Sequence, residues 1–340
     1  MTTWEKLIGH DWAVKMLAGG LANDRLGHAY LFTGPDQLGK TTLARIFAQA
    51  LNCEEAEVER PCGVCRTCKL IAADRHPDVR LVVPEVSARG KQSLKIETIR
   101  QLQKDLNLSA YEARFKVAIL RRFDAATIGA SNAFLKTLEE PPGKVMLILT
   151  ANDADTLLPT ISSRCRTINL RPLPVDLIAQ SLAVHWQVKE DEAHLLSHLA
   201  NGRLGWAVNA AANPEILQQR QAHLAQLYDA LDGNRVARFA LADKLARKAD
   251  ILPALLQTWL SWWRDATLLA QKNGEAHGLH LTNIDENDRL QQVVKSWHKK
   301  EALTSLKQTN LALWQLERNG NTRLVVENLL LTYPLVISKA

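Results

Sequence analysis

Short runs of consecutive apolar residues, separated by stretches with a helical repeat, organise the first half of the chain. "AYLFT" (Ala29 to Thr33), "VRLVV" (Val79 to Val83), "KVAIL" (Lys116 to Leu120) and "VMLIL" (Val145 to Leu149) put apolar side chains on both sides of an extended backbone. A strand carries such a run when both its faces are covered, so these four predict the interior of a parallel sheet. "TINL" (Thr167 to Leu170) is a candidate fifth strand. After the first strand, Leu43, Ile46, Phe47, Ala50 and Leu51 recur at spacings of three and four and predict a helix lying on that sheet. Strands alternating with helices predict an α/β domain.

The pattern breaks at "LRPLPVD" (Leu170 to Asp176), where two prolines mark a domain boundary. Beyond it the chain reads as amphipathic helices with no convincing strand. Asn213 followed by Pro214 predicts a helix start, with a capping side chain and then proline at the first helical position. Trp259, Trp262 and Trp263 fall on one helix and predict a core rather than a ligand site.

Composition changes this picture little. The 340 residues suffice for two or three domains, and 46% hydrophobic with 23% charged residues is ordinary for a soluble globular protein. The net charge of +6, from 42 basic and 36 acidic residues, permits proximity to nucleic acid without arguing for it. The opening "MTTWEKLIGH" has no apolar signal region, and no apolar run is long enough to span a bilayer, so a cytoplasmic location is expected. Cysteines in that compartment are core residues, metal ligands or reactive thiols. The basic stretch "SARGKQSLK" (Ser87 to Lys95) reads as a surface loop rather than a binding patch.

Two motifs carry chemistry. Cys53, Cys62, Cys65 and Cys68 lie in "CEEAEVERPCGVCRTC", where two short turns and one distant ligand suit tetrahedral thiolate coordination of Zn2+. Gly63 eases a tight turn, and Arg66 and Lys69 offset thiolate charge. Four protein ligands close the site, which makes the zinc structural and excludes a zinc hydrolase; the alternative is four free buried thiols. Cys165 stands apart and is expected in the core. The second motif, "GPDQLGKTTLA", fits G-x-x-x-x-G-K-[ST] and sits between a buried strand and a helix. Gly34, Gly39, Lys40, Thr41 and Thr42 are its candidate contacts to the phosphates of ATP or ADP, with Lys40 reaching the outer phosphates and Thr41 magnesium. A relic loop that keeps the fold and binds nothing is the other reading.

A hydrolytic site of this type needs a carboxylate at the end of a neighbouring strand. Arg121 and Arg122 follow "KVAIL" instead, and cations beside magnesium repel it. Asp124 is the nearest acid, three residues beyond Arg121, and is expected to point elsewhere. Little or no intrinsic hydrolysis is expected. The plain alternative for the arginines, a solvated strand end, leads to the same chemistry.

The phosphate-loop segment "GHAYLFTGPDQLGKTTLA", the cysteine insertion, "HPDV" (His76 to Val79), "SNAFLKTLEEPP" (Ser131 to Pro142) and "ISSRC" (Ile161 to Cys165) occur in this order. The set resembles the clamp-loader branch of the AAA+ ATPases, strongly over about residues 1–212 and weakly beyond. The resemblance implies a RecA-like P-loop domain with a parallel sheet over 1–170, with its zinc insertion at about 53–68. It implies a small helical lid over 171–212 and an all-α collar over 213–340 that joins a five-subunit ring. It also implies ring partners: ATPase subunits of the gamma/tau type and a delta subunit. The sliding clamp (beta) would be reached indirectly, and primed DNA without sequence preference. In such a ring the "SRC" arginine, here Arg164, projects into a neighbour's ATP site as an arginine finger; alone, Arg164 reads as a surface arginine.

The chain departs from the motor members of this branch. Arg121 and Arg122 replace an Asp-Glu pair. In "GRLGWA", Gly205 stands where the lid arginine is expected, and Arg203 is out of register. Gln37 occupies a loop position that is often glycine, where a Cβ resists the turn. Thr150 and Asn152 are candidate phosphate sensors or structural residues. The expected role is a non-hydrolysing subunit that serves clamp loading in DNA replication. The alternative is an ATP-hydrolysing motor subunit with Asp124 as a displaced magnesium ligand.

Overall fold

A computed structural model describes residues 3–56, 60–86, 92–271, 280–295, 297, 299–318 and 320–335. Most of the basic stretch beginning at Ser87, residues 87–91, lies outside the described residues. The chain divides into two compact units, Met1–Leu177 with Gly202–Gly205, and Ile178–Asn201 with Trp206–Ala340.

In the first unit the strands are β1 (Ala29–Thr33), β2 (Val79–Val82), β3 (Glu85–Val86), β4 (Gln92–Ser93), β5 (Lys116–Leu120), β6 (Val145–Thr150) and β7 (Arg166–Asn169). Five of them form one sheet in the order β2-β5-β6-β1-β7, and every pair is parallel. Parallel neighbours need crossovers. Helices α1 (Asp11–Ala22), α2 (Lys40–Asn52), α3 (Arg66–Ala72), α4 (Ile96–Asn107), α5 (Ile128–Glu139) and α6 (Pro159–Ser162) lie along this stretch. The arrangement is the parallel α/β sheet that the apolar runs predict, and it fits the P-loop domain that the resemblance implies. Strand β2 ends at Val82, one residue early, because Pro84 removes a ladder donor just beyond it. Strand β7 is shifted one residue back, although Leu170 still donates to Thr33 O at 2.9 Å. The short antiparallel pair β3–β4 had no signal in the periodicity.

The unbroken apolar runs are explained by two cores. Alternate residues of one strand part company: Tyr30, Phe32, Val117, Ile119, Met146 and Ile148 enter one cluster with Phe47 and Leu51 of α2. Leu31, Ala118, Leu120, Leu147 and Leu149 enter another with Ile99 of α4 and Phe134 of α5. The period of two sends each strand's side chains to both layers of helices.

Beyond residue 170 the described residues contain helices and no strand. They are α7 (Val175–Trp186), α8 (Glu190–Leu199), α9 (Leu204–Ala212), α10 (Glu215–Asp232), α11 (Arg235–Ala246), α12 (Leu252–Gln271), α13 (Asn287–Lys295), α14 (Lys299–Glu317) and α15 (Thr322–Thr332). Trp259, Trp262 and Trp263 are completely buried in the second unit, as their spacing predicts. Trp263 stacks on Trp297 at 5.2 Å, and Trp262 Nε1 donates to Tyr228 Oη at 3.0 Å. Buried Arg238 donates to the carbonyls of Leu330, Tyr333 and Pro334, satisfying acceptors that α15 leaves free at its end. The expected cap at Asn213 is not made. Helix α10 begins after Pro214, and Asn213 Nδ2 turns back to Asn209 O at 3.1 Å.

Candidate functional site

The carboxyl ends of parallel strands form a crevice where ligands bind, at the point where strand order switches. Here β1 lies between β6 and β7, so its following loop opens into that crevice. A cavity of about 270 Å3 there is lined by Thr33, Gly34, Pro35, Asn152, Asn169 and Arg171, among others. Gly34 has φ +130°, and a Cβ on it would come 2.4 Å from Leu170 O, so glycine is required. Gly39 caps α2 at φ +97°. Gln37 does adopt the left-handed turn, at φ +66°, and its carbonyl accepts from the Gly205 amide at 3.0 Å. That bond helps offset the strain its Cβ brings.

Lys40 does not extend from the loop. Its ammonium is buried and donates to Gly34 O, to Pro35 O at 3.1 Å and to Asn152 Oδ1 at 3.1 Å. Desolvation holds it below the ordinary lysine pKa, partly offset by Asp36 and Asp124. Asn152 therefore holds the lysine. Thr150 Oγ1 accepts from the backbone amide of Arg122 at 3.0 Å. Thr41 is half-buried and Thr42 exposed in the first turn of α2.

The end of β5 differs from the expectation in one respect. Arg121 is exposed, but Arg122 and Asp124 both turn toward the phosphate loop. Arg122, at φ +51°, places its guanidinium 3.9 Å from Asp36 Oδ2 and 3.9 Å from Asp124 Oδ2. Asp124 does not point elsewhere: it is mostly buried and lies in the electrostatic reach of Lys40. Burial pushes its carboxyl up against the pull of Arg122. Half-buried Arg203, out of register in the sequence, lies in the reach of Asp36. The sequence signal for Asp36 was there to be read, four residues before Lys40 in "GPDQLGK". Lys40, Arg122 and Arg203 thus gather around Asp36 and Asp124, and Asp153 and Arg171 also line the cavity. Its cations suit phosphate oxygens, whereas Asp36 and Asp124 are both already beside Arg122.

Cys53, Cys62, Cys65 and Cys68 come together, with their sulfur atoms within 4.8 Å of one another, and can hold a metal ion. Tetrahedral zinc with Zn–S of about 2.3 Å needs sulfurs roughly 3.8 Å apart, close to this spacing. Cys53 ends α2 and Cys65 caps α3. Backbone amides donate to sulfur, Cys65 N to Cys62 Sγ at 3.3 Å and Cys62 N to Cys53 Sγ at 3.4 Å, as thiolate ligands require. Gly63 makes the intervening turn at φ +73°. Burial raises the Cys53 and Cys68 thiols; at Cys62 it is outweighed by the amides of Cys65 and Val64 and by neighbouring thiols, which bring that group to about 7. Glu54 accepts from Thr67 Oγ1 at 2.6 Å, and Arg66 pairs with Glu112 at 2.7 Å, so the cysteine segment is fastened to the residues before β5.

The "HPDV" segment is structural. Asp78 accepts from the amides of Tyr111, Glu112 and Ala113, and packs the turn before β5 against the start of β2. Arg164 follows α6, with a side chain 37% exposed. Its guanidinium pairs with Glu139 Oε1 at 2.7 Å and donates to Thr160 O at 2.9 Å. Glu139 belongs to "LKTLEEPP", a segment that sequence order alone could not join to "ISSRC". Cys165 is half-buried against the core beside α5.

Residues 9–174 match the family described as DNA polymerase III, delta subunit. The chain is 35% identical over 218 residues to DNA polymerase III subunit delta′ of Bacillus subtilis, covering 64% of each. It is 36% identical over 208 residues to subunit tau of Salmonella typhimurium, covering 59% of this chain and 31% of that one. With subunit tau of Bacillus subtilis it shares 29% identity over 307 residues, covering 84% of this chain and 54% of that one. The chain therefore spans 31% to 64% of the length of these relatives. Over these spans it is similar to the delta′ and tau subunits of DNA polymerase III.

Proposed function

We propose that this chain is a clamp-loader subunit of the delta′ type. It acts as a non-hydrolysing member of a ring in the cytoplasm. There it meets gamma/tau ATPase subunits and a delta subunit, and supports placement of the sliding clamp on primed DNA. The observation that carries this reading is the strand end after β5. Arg121 and Arg122 stand where a motor subunit needs anions, and Arg122 faces the phosphate loop. A guanidinium at that position cannot seat magnesium or polarise an attacking water, so the chemistry belongs to a neighbour.

Arg164 then supplies the trans finger. It is exposed enough to leave Glu139, and a guanidinium neutralises charge developing on a γ-phosphate. Gly34, Gly39, Lys40, Thr41 and Thr42 keep the phosphate-loop geometry. The four cysteines hold Zn2+ as a closed structural site that pins the end of α2. The division into a RecA-like domain over 1–170, a lid over 171–212 and a collar over 213–340 is part of the same proposal.

A second reading, an ATP-hydrolysing motor, draws on Asp124, whose Oδ1 is buried without a hydrogen-bond partner. The two separate in one assay, ATP turnover by the purified chain with magnesium. The scaffold reading expects none above background. Turnover abolished by Lys40→Ala makes the chain a motor.

A further inference from the structure

The phosphate loop already contains an anion. Asp36 Oδ1 lies 3.7 Å from Lys40 Nζ, and Asp36 Oδ2 lies 3.9 Å from the guanidinium of Arg122. One carboxylate therefore bridges the loop lysine and the arginine at the neighbouring strand end. Its side chain is 49% exposed and can swing into solvent, whereas Lys40 is 6% exposed and can turn its ammonium from the loop carbonyls to an incoming phosphate oxygen. Arg122 Nε is buried with no hydrogen-bond partner, and Nη1 of the same guanidinium donates to Gln92 Oε1 at 2.8 Å. Arg203 adds a third positive charge within reach of the same carboxylate.

We infer that the cleft binds the polyphosphate of a nucleotide without magnesium, with the Arg122 guanidinium filling the electrostatic place of the metal. The phosphate displaces Asp36 and takes over the bridge between Lys40 and Arg122. Guanidinium suits this task, since it is permanently charged and presents several donors to phosphate oxygens. A magnesium-bound nucleotide carries less negative charge and brings a divalent cation toward Arg122, which repels it. Asp124 does not rescue the metal, because its Oδ2 is 3.9 Å from the same guanidinium. The inference rests on the non-hydrolysing reading above but concerns binding, which that reading leaves open.

The test is equilibrium binding of ADP to the full chain, by calorimetry, in excess magnesium and in excess EDTA, with inorganic pyrophosphate as competitor. Binding in EDTA is expected to be at least about tenfold tighter than in magnesium, and pyrophosphate should compete. Arg122→Asp, which keeps a residue that tolerates the left-handed backbone, should reverse the metal preference. Asp36→Asn should tighten ADP binding in EDTA. Tighter wild-type binding in magnesium, or no ADP binding in either buffer, overturns the inference without any variant. Magnesium-dependent ATP turnover by the chain is a separate outcome, and it would overturn the scaffold reading instead.

Discussion

Lys40 Nζ and Asn152 Oδ1 lie 3.1 Å apart, a donor from the phosphate loop and an acceptor from the end of the strand beside it. With the carbonyls of Gly34 and Pro35, this bond spends the lysine on its own loop. Lys40→Ala should therefore destabilise the ligand-free chain by about 1–3 kcal/mol, because buried acceptors lose their donor. Thermal unfolding without nucleotide measures it. A loop whose lysine waits for phosphate would leave the melting temperature unchanged.

The pair Arg164–Glu139 is largely solvent-accessible, so breaking it should cost under about 1 kcal/mol. Arg164→Ala is expected to melt like wild type. In the reconstituted loader it should slow ATP hydrolysis at the site it serves by a factor on the order of 10³. An unchanged rate in the assembly removes the finger from the mechanism.

Elemental analysis of the purified chain should find about one zinc per chain, lost in Cys62→Ser. Its removal by chelator should lower the melting temperature by several degrees, at roughly 2–4 °C for each kcal/mol in a chain of this size. Hydrogen exchange should quicken first at the end of α2 and in α3, which Cys53 and Cys68 tie together. Uniform loosening across both units would argue against a local clasp.

Asp78 is buried, which by itself raises its pKa, yet the amides of Glu112, Tyr111 and Ala113 outweigh burial and hold it below the ordinary carboxylate value. A group depressed in the folded state stabilises above its unfolded pKa, near 3.8, and that contribution is lost as pH falls through the lower folded value. Asp78→Asn should cost about 1–3 kcal/mol at neutral pH, and the deficit should shrink once pH falls below about 4. Unfolding curves of both proteins over pH 3–7 test the sign. A deficit that grows in acid would refute it.

The sequence alone determined the sheet, the helix on it, the aromatic core of the second unit and the cysteine cluster. Each of these rests on local spacing: apolar runs for buried strands, a repeat of three and four for helices, and two short turns for converging thiols. Thus Val117 to Leu120, Leu43 to Leu51 and Cys62 to Cys68 could be placed without coordinates. Only the tertiary structure decided which charges meet. Asp124 lies near Lys40 because β5 and β1 lie on either side of β6 in one sheet. Glu139 meets Arg164 because the chain brings the end of α5 beside the turn after α6. Arg203 reaches Asp36 across a long sequence gap. Electrostatic pairing depends on distance in space, and spacing along the chain fixes that distance only within a single element.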